Sequence, residues 1–174
     1  MRAPIRLRHP RALRADRRGV VAIELAMLTP LLMLMFFGCL EISQLARANK
    51  VVTNAAETIA DLAAREGDYS AAAIANVCHG GKLVLSPFDA STLKVAIASV
   101  THNAATGTTT TDWQDTSCGS ANPMANPVAS AGNLVAASGD SVIVVQASYT
   151  YTALTSMFLP LHYTLTQTAF ARPH

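Results

Sequence analysis

The sequence predicts an α+β fold: a long N-terminal helix that begins as a transmembrane segment, then a short helix, then an antiparallel sheet of about four strands. Three observations predict it. Residues 20–40 are 21 consecutive positions with one charge, and a helix of that length rises about 31 Å, close to the hydrocarbon thickness of a bilayer. Beyond Glu41 apolar residues continue at steps of three and four, the period of a single helix face. From Leu93 onward the pattern becomes an alternation rich in β-branched residues, the period of strands.

Length and charge bound the architecture. A chain of 174 residues is about one domain's worth, which fits one modest soluble body on an anchor and excludes a large multi-domain enzyme. Residues 1–19 hold seven arginines and one aspartate, whereas residues 20–174 hold six Lys and Arg against ten Asp and Glu. A basic segment directly before an apolar run follows the positive-inside rule, so residues 1–19 are expected as a basic cytoplasmic leader, with residues 66–174 as a periplasmic body. No basic surface interleaved with aromatics follows, which argues against a nucleic-acid partner.

The apolar run is too long for a secretory signal, whose core spans about 7–15 residues and ends in small residues. It ends instead in Phe36-Phe37-Gly38-Cys39, and those phenylalanines also disfavour acylation of Cys39. Inside the run stands Glu24. A carboxylate at the bilayer centre costs about 2.5–3.5 kcal/mol, and intramembrane ionisable groups usually have a function. Near the basic end it has a second option, snorkelling to the interface or pairing with an arginine.

Arg17-Arg18-Gly19, then Val20-Val21-Ala22-Ile23-Glu24-Leu25-Ala26, a leucine-rich run with Pro30, and Gly38 and Glu41 together resemble the TadE/TadG-like minor pseudopilin family of tight-adherence (Flp-type) pilus systems. The resemblance continues in Asn54-Ala55-Ala56 and, in the C-terminal part, in Ser138-Gly139-Asp140, Tyr149-Thr150-Tyr151 and Ala171-Arg172-Pro173. It implies a pilin-like roll, cleavage by a prepilin peptidase after Gly19, and Val20 as the new N-terminus, with Glu24 serving subunit assembly. The partners it implies are that peptidase, other pilin and pseudopilin subunits, an inner-membrane assembly platform and the membrane; it implies no cofactor. An α-amine has a pKa of about 7.7–8 and is cationic at neutral pH, so Glu24 of one subunit could neutralise the new terminus of its neighbour.

Thr29-Pro30 falls in mid-helix, where proline removes a backbone bond, so a bend is expected. Past the membrane, Leu45, Ala48, Val52, Ala55, Ile59, Leu62 and Ala63 form one apolar stripe, with Arg47, Lys50, Asn54, Glu57, Asp61 and Arg65 opposite. One helix from about residue 20 to about residue 64 follows, its outer half a stalk. Asp61 and Arg65 stand four apart in the favourable order. Gly67 is placed to end that helix. Ser70 is placed to cap a short helix over residues 71–77, closed by His79-Gly80-Gly81.

In the body, residues 93–100, 141–152 and 163–171 read as strands, with Asp112-Trp113-Gln114 a weaker one. Residues 101–111 and 119–140, rich in Thr, Ser, Gly, Asn and Pro, read as exposed loops. Residues 153–162 carry Met157-Phe158-Leu159-Pro160-Leu161, which would plug the core or contact the membrane or another subunit. Cys78 and Cys118 fall in the body assigned to an oxidising compartment, and a bridge between them would tie the long loop to the helix end. A metal site from Cys78, His79, His102 and Cys118 lacks the paired spacing of zinc ligands. No nucleophile with a base, paired catalytic carboxylates or phosphate loop stands at usable spacing, so no enzyme is expected. The expected role is a pilin-like assembly subunit; the alternative is an uncleaved, membrane-anchored module that binds envelope glycans or proteins through its Thr-rich loops and Trp113.

Overall fold

The computed structural model describes residues 18–66, 69–135, 137, 139–153 and 162–173. Over these the chain is α+β, as the alternating periods predict, with a long helix, a short helix and a four-stranded antiparallel sheet. Residues 1–17 of the leader, Gly67 as a helix stop, Ser138 of its turn and the apolar segment Met157 to Leu161 lie outside the described residues. The chain divides into two compact units, Met1–Ile42 and Ser43–His174.

Helix α1 covers Arg18–Arg65. In the first unit every side chain from residue 19 to residue 40 is exposed, although most are apolar. Pro30 lies inside the helix without interrupting it. Its ring nitrogen carries no hydrogen for the carbonyl of Ala26; separately, the Thr29 hydroxyl donates to the Leu25 carbonyl at 2.6 Å.

In the second unit the rest of α1 buries the predicted stripe: Ala48, Val52, Ala55, Ile59 and Ala63 are all buried, joined by Ala56, Ala60 and Ala64. Alanines dominate because neighbouring elements approach closely along this face. Asp61 and Arg65 pair at 2.8 Å, but both side chains are more than half exposed, so the pair adds only a few tenths of a kcal/mol. Helix α2 covers Ala71–Val84, with the Ser70 hydroxyl accepting from the Ala73 N–H at 3.4 Å. It runs straight through His79-Gly80-Gly81, against the expected stop. Those glycines are contact surface: a Cβ on Gly81 would overlap the Ile59 side chain, and one on Gly80 would come within 2.9 Å of Leu62 Cδ1.

Strands β1 (Lys94–Asn103), β2 (Thr108–Cys118), β3 (Ser141–Thr152) and β4 (His162–Ala171) pair in the order β2-β1-β3-β4. All neighbours are antiparallel. Residues 101–111, expected as a loop, mostly extend β1 and β2, and only the turn between them is irregular; there Gly107 has a φ of 64° and its N–H donates to the Asn103 carbonyl. Threonine is β-branched, so the run Thr108 to Thr111 satisfies a strand as readily as a loop. The pairing of β1 with β2 slips twice, between Val95 and Ile97 and between Ser99 and Val100, with the extra residue on β2 each time.

The two central strands, β1 and β3, are buried on both faces. Val95, Ile97, Ile143, Val145 and Ala147 face α1 and α2. Ala96, Ala98, Val100, Val142 and Val144 face the other way, under Met124, Ala131 and Val135. That cover comes from residues 119–140, expected to be loops only: they contain helix α3 (Pro127–Ala131), capped by the Asn126 side chain, and a 3-10 turn over Gly132–Val135. Such short elements carry too few residues to show a period.

Candidate functional site

The residues singled out for processing and assembly lie on the first unit of α1. Gly19 is in its opening turn with open space around it, since an added Cβ would meet nothing within 4 Å. Val20 follows, 53% exposed. Glu24 is exposed, and the positions one turn away on either side, Val20, Val21, Met27 and Leu28, are exposed and apolar. These four neighbours offer the carboxylate neither charge nor hydrogen bond. Glu24 is the single charged residue between positions 19 and 40. The helix is long and apolar enough to cross a membrane, which supports membrane anchoring. At its far end Cys39 is a free, exposed thiol, and Phe36 and Phe37 meet edge to face at 5.7 Å.

In the body, Cys78 of α2 and Cys118 at the end of β2 form a disulfide, their Cα atoms 5.8 Å apart. The bond uses both thiols of the four-residue metal set considered above. Of its histidines, His102 has its Nδ1 3.0 Å from the Thr109 hydroxyl. Among the described residues no group of three His, Cys, Asp or Glu side chains is placed to hold a metal ion.

Trp113 and its flanking acids belong to β2. The indole is half-buried against Tyr69, ring centroids 4.5 Å apart. Burial, and secondarily the charge of Glu66, push the Tyr69 hydroxyl above the ordinary tyrosine pKa. Asp112 accepts hydrogen bonds from the Ser99 hydroxyl at 3.2 Å and from the Thr101 hydroxyl, bracing β1 to β2. Asp115 accepts from the Ser117 N–H and hydroxyl at 3.0 and 2.8 Å. Neither acid is set for catalysis.

One feature went unread in the sequence, an open cleft of about 280 Å³ lined by Phe88, Asp89, Thr92, Tyr149 and Tyr151 among others. The Ser91 hydroxyl and N–H hold the Asp89 carboxyl below its usual range. Burial pushes Tyr149 up, helped by the Asp89 charge and opposed by a hydrogen bond with Thr92. Asp89 is thus committed to capping a 3-10 turn, and no nucleophile–base pair lines the cleft. The period-two spacing of Tyr149 and Tyr151 was the available signal, but it reads equally as strand core.

No curated protein and no solved structure matches the chain. A family match covers part of α1 alone, so the likeness in Tyr149-Thr150-Tyr151 and the C-terminal residues falls beyond it. Residues 19–61 match the family model described as TadE-like protein, a span that opens at Gly19 and takes in Glu24 and most of the buried stripe.

Proposed function

We propose that this chain is a minor pilin-like (pseudopilin) subunit of a tight-adherence pilus, processed after Gly19 by a prepilin peptidase. Residues 20–40 hold it in the inner membrane, residues 1–19 face the cytoplasm before cleavage, and the body faces the periplasm. The observation that carries this reading is the coincidence of the TadE-like match with a helix surface that is apolar, exposed throughout and interrupted by the single carboxylate of Glu24. Cleavage creates an α-amine at Val20, four positions before Glu24. Within one helix those two groups lie one turn apart; between subunits, the carboxylate of one neutralises the amine of the next in a water-poor bundle. The helix then serves in turn as anchor and as packing surface among pilin and pseudopilin partners. The role is one of assembly, not catalysis.

The alternative, an uncleaved membrane-anchored module that binds envelope glycans or proteins, drew on the Thr-rich loops and Trp113, and the run Thr108 to Thr111 lies in strand β2 instead of a loop. The Trp113 ring is half-buried against Tyr69, so the pilin-like reading is preferred. The experiment is substitution of Gly19→Trp in cells that contain the peptidase. The variant is expected to persist at full precursor mass while the parent loses its leader; equal processing of both would remove the basis for the proposal.

A further inference from the structure

Within the second unit, contacts near the two ends of α1 fix the direction in which it crosses the sheet. Near its start, Asn49 Oδ1 accepts a hydrogen bond from Gln167 Nε2 at 2.7 Å, at the row of paired residues Gln167, Ala147 and Val95. Just past its end, Tyr69 stacks on Trp113, at the row of Trp113, Ser99, Ile143 and Ala171. The helix runs toward the Ala171 end of the sheet, and its start points back toward the end formed by Thr152 and His162. Helix α2 returns the other way. Gly80 faces Leu62, Gly81 faces Ile59 and the Ala55 carbonyl, and beyond α2 the Phe88 ring lies 6.3 Å from that of Tyr151. One end of the body gathers the start of α1, the end of α2 and the Thr152–His162 end of the sheet.

That end carries exposed apolar side chains, Leu83 at 65% and Tyr163 at 40%. Phe170 is also 40% exposed, but it lies toward the opposite end of β4 and on the opposite face of the sheet, where it pairs with Val144. Ser43, which opens the unit, stands three residues beyond Leu40, and three residues of helix rise about 4.5 Å. A membrane spanned by residues 20–40 holds the α1 entry end of the body close to its surface.

We propose that this end of the body rests on the bilayer, with Tyr163 and Leu83 at the level of the lipid headgroups. The partner is lipid because the chain enters the body directly from the membrane-length run, and the exposed apolar groups lie at that entry. A phenol suits the headgroup level, with an apolar ring and a polar tip, and apolar side chains there sink about 5–10 Å into the boundary with the acyl chains. Arg47 and Lys50, exposed near the start of α1 in this unit, supply cations for lipid phosphates. The inference rests on membrane anchoring by residues 20–40 and not on cleavage after Gly19.

The test uses the full chain in vesicles of phosphatidylethanolamine and phosphatidylglycerol, in a Cys39→Ser background that leaves the body disulfide in place. Leu40→Cys, Leu83→Cys, Tyr163→Cys and Phe170→Cys are each labelled with a fluorophore and exposed to lipid spin-labelled near its headgroup. Labels at Leu40, Leu83 and Tyr163 are expected to lose about half of their emission, as groups held in the headgroup layer would, while the label at Phe170 keeps its own. Quenching at Leu40 alone would overturn the proposal and leave membrane anchoring intact. Equal quenching at Phe170 would also overturn it, since the body would then have no preferred end toward the lipid. No quenching at Leu40 would remove the anchoring itself, and the proposal with it.

Discussion

Gly81 shows how a single hydrogen in place of a methyl sets the distance between two helices. In an exposed helix, replacing glycine by alanine gains about 1 kcal/mol. At Gly81 the new Cβ would overlap both Cγ1 and Cδ1 of Ile59, which is fully buried, so Gly81→Ala is expected to destabilise by about 1–3 kcal/mol. Gly80→Ala meets only the end of the half-buried Leu62 side chain and should be neutral or slightly stabilising. Thermal unfolding of the full chain in detergent, followed by the near-ultraviolet signal of Trp113, distinguishes them. Ile59→Ala removes the atoms in the way, so the Gly81→Ala cost should largely vanish in that background; strict additivity would mean the two residues do not meet. Sequence alone could not separate a helix stop from a close contact here, because both require the same absence of a side chain. Tyr149 gives a pH test at the same scale. Its folded pKa is raised by burial and by Asp89, so the protonated form is favoured by folding; that contribution is complete below the unfolded value of about 10 and is lost as pH rises through the folded value. Tyr149→Phe should therefore lose less stability than the parent as pH rises above about 10.

The disulfide and the edge strand β2 belong together, since Cys118 ends β2 and ties it to α2. Cys78→Ser is expected to cost about 2–4 kcal/mol, as release of a loop of 40 residues predicts. Alkylation of the unreduced protein followed by mass analysis should label Cys39 alone; label on Cys78 or Cys118 would reject the bridge. β3 was legible from its β-branched run Val142 to Val145 and the alternation that follows it, β4 from its partial alternation, and the buried stripe of α1 because its alanines and valines keep the helical period. β2 was legible only around Trp113. Its Thr, Asp and Ser side chains carry no burial pattern at the sheet edge, and its bulges break the period of two. The order β2-β1-β3-β4 was not legible at all, since order depends on which apolar faces meet, and no local residue choice encodes that.

At the scale of the whole chain, an exposed apolar helix segment precedes a body with its own two-sided core. The membrane-length apolar helix was legible, because a bilayer imposes length and polarity rules that a sequence must obey openly. The cleft at Tyr149 was not, because clefts arise from packing. Glu24→Ala should leave membrane insertion unchanged and reduce incorporation with the major pilin by about ten-fold, the effect of roughly 1.4 kcal/mol per subunit contact; incorporation equal to the parent would reduce Glu24 to a tolerated interfacial charge. The most direct measurement is the N-terminal residue of the protein as it stands in the membrane. The account predicts Val20; a protein that begins at Met1 or at Cys39 would contradict it.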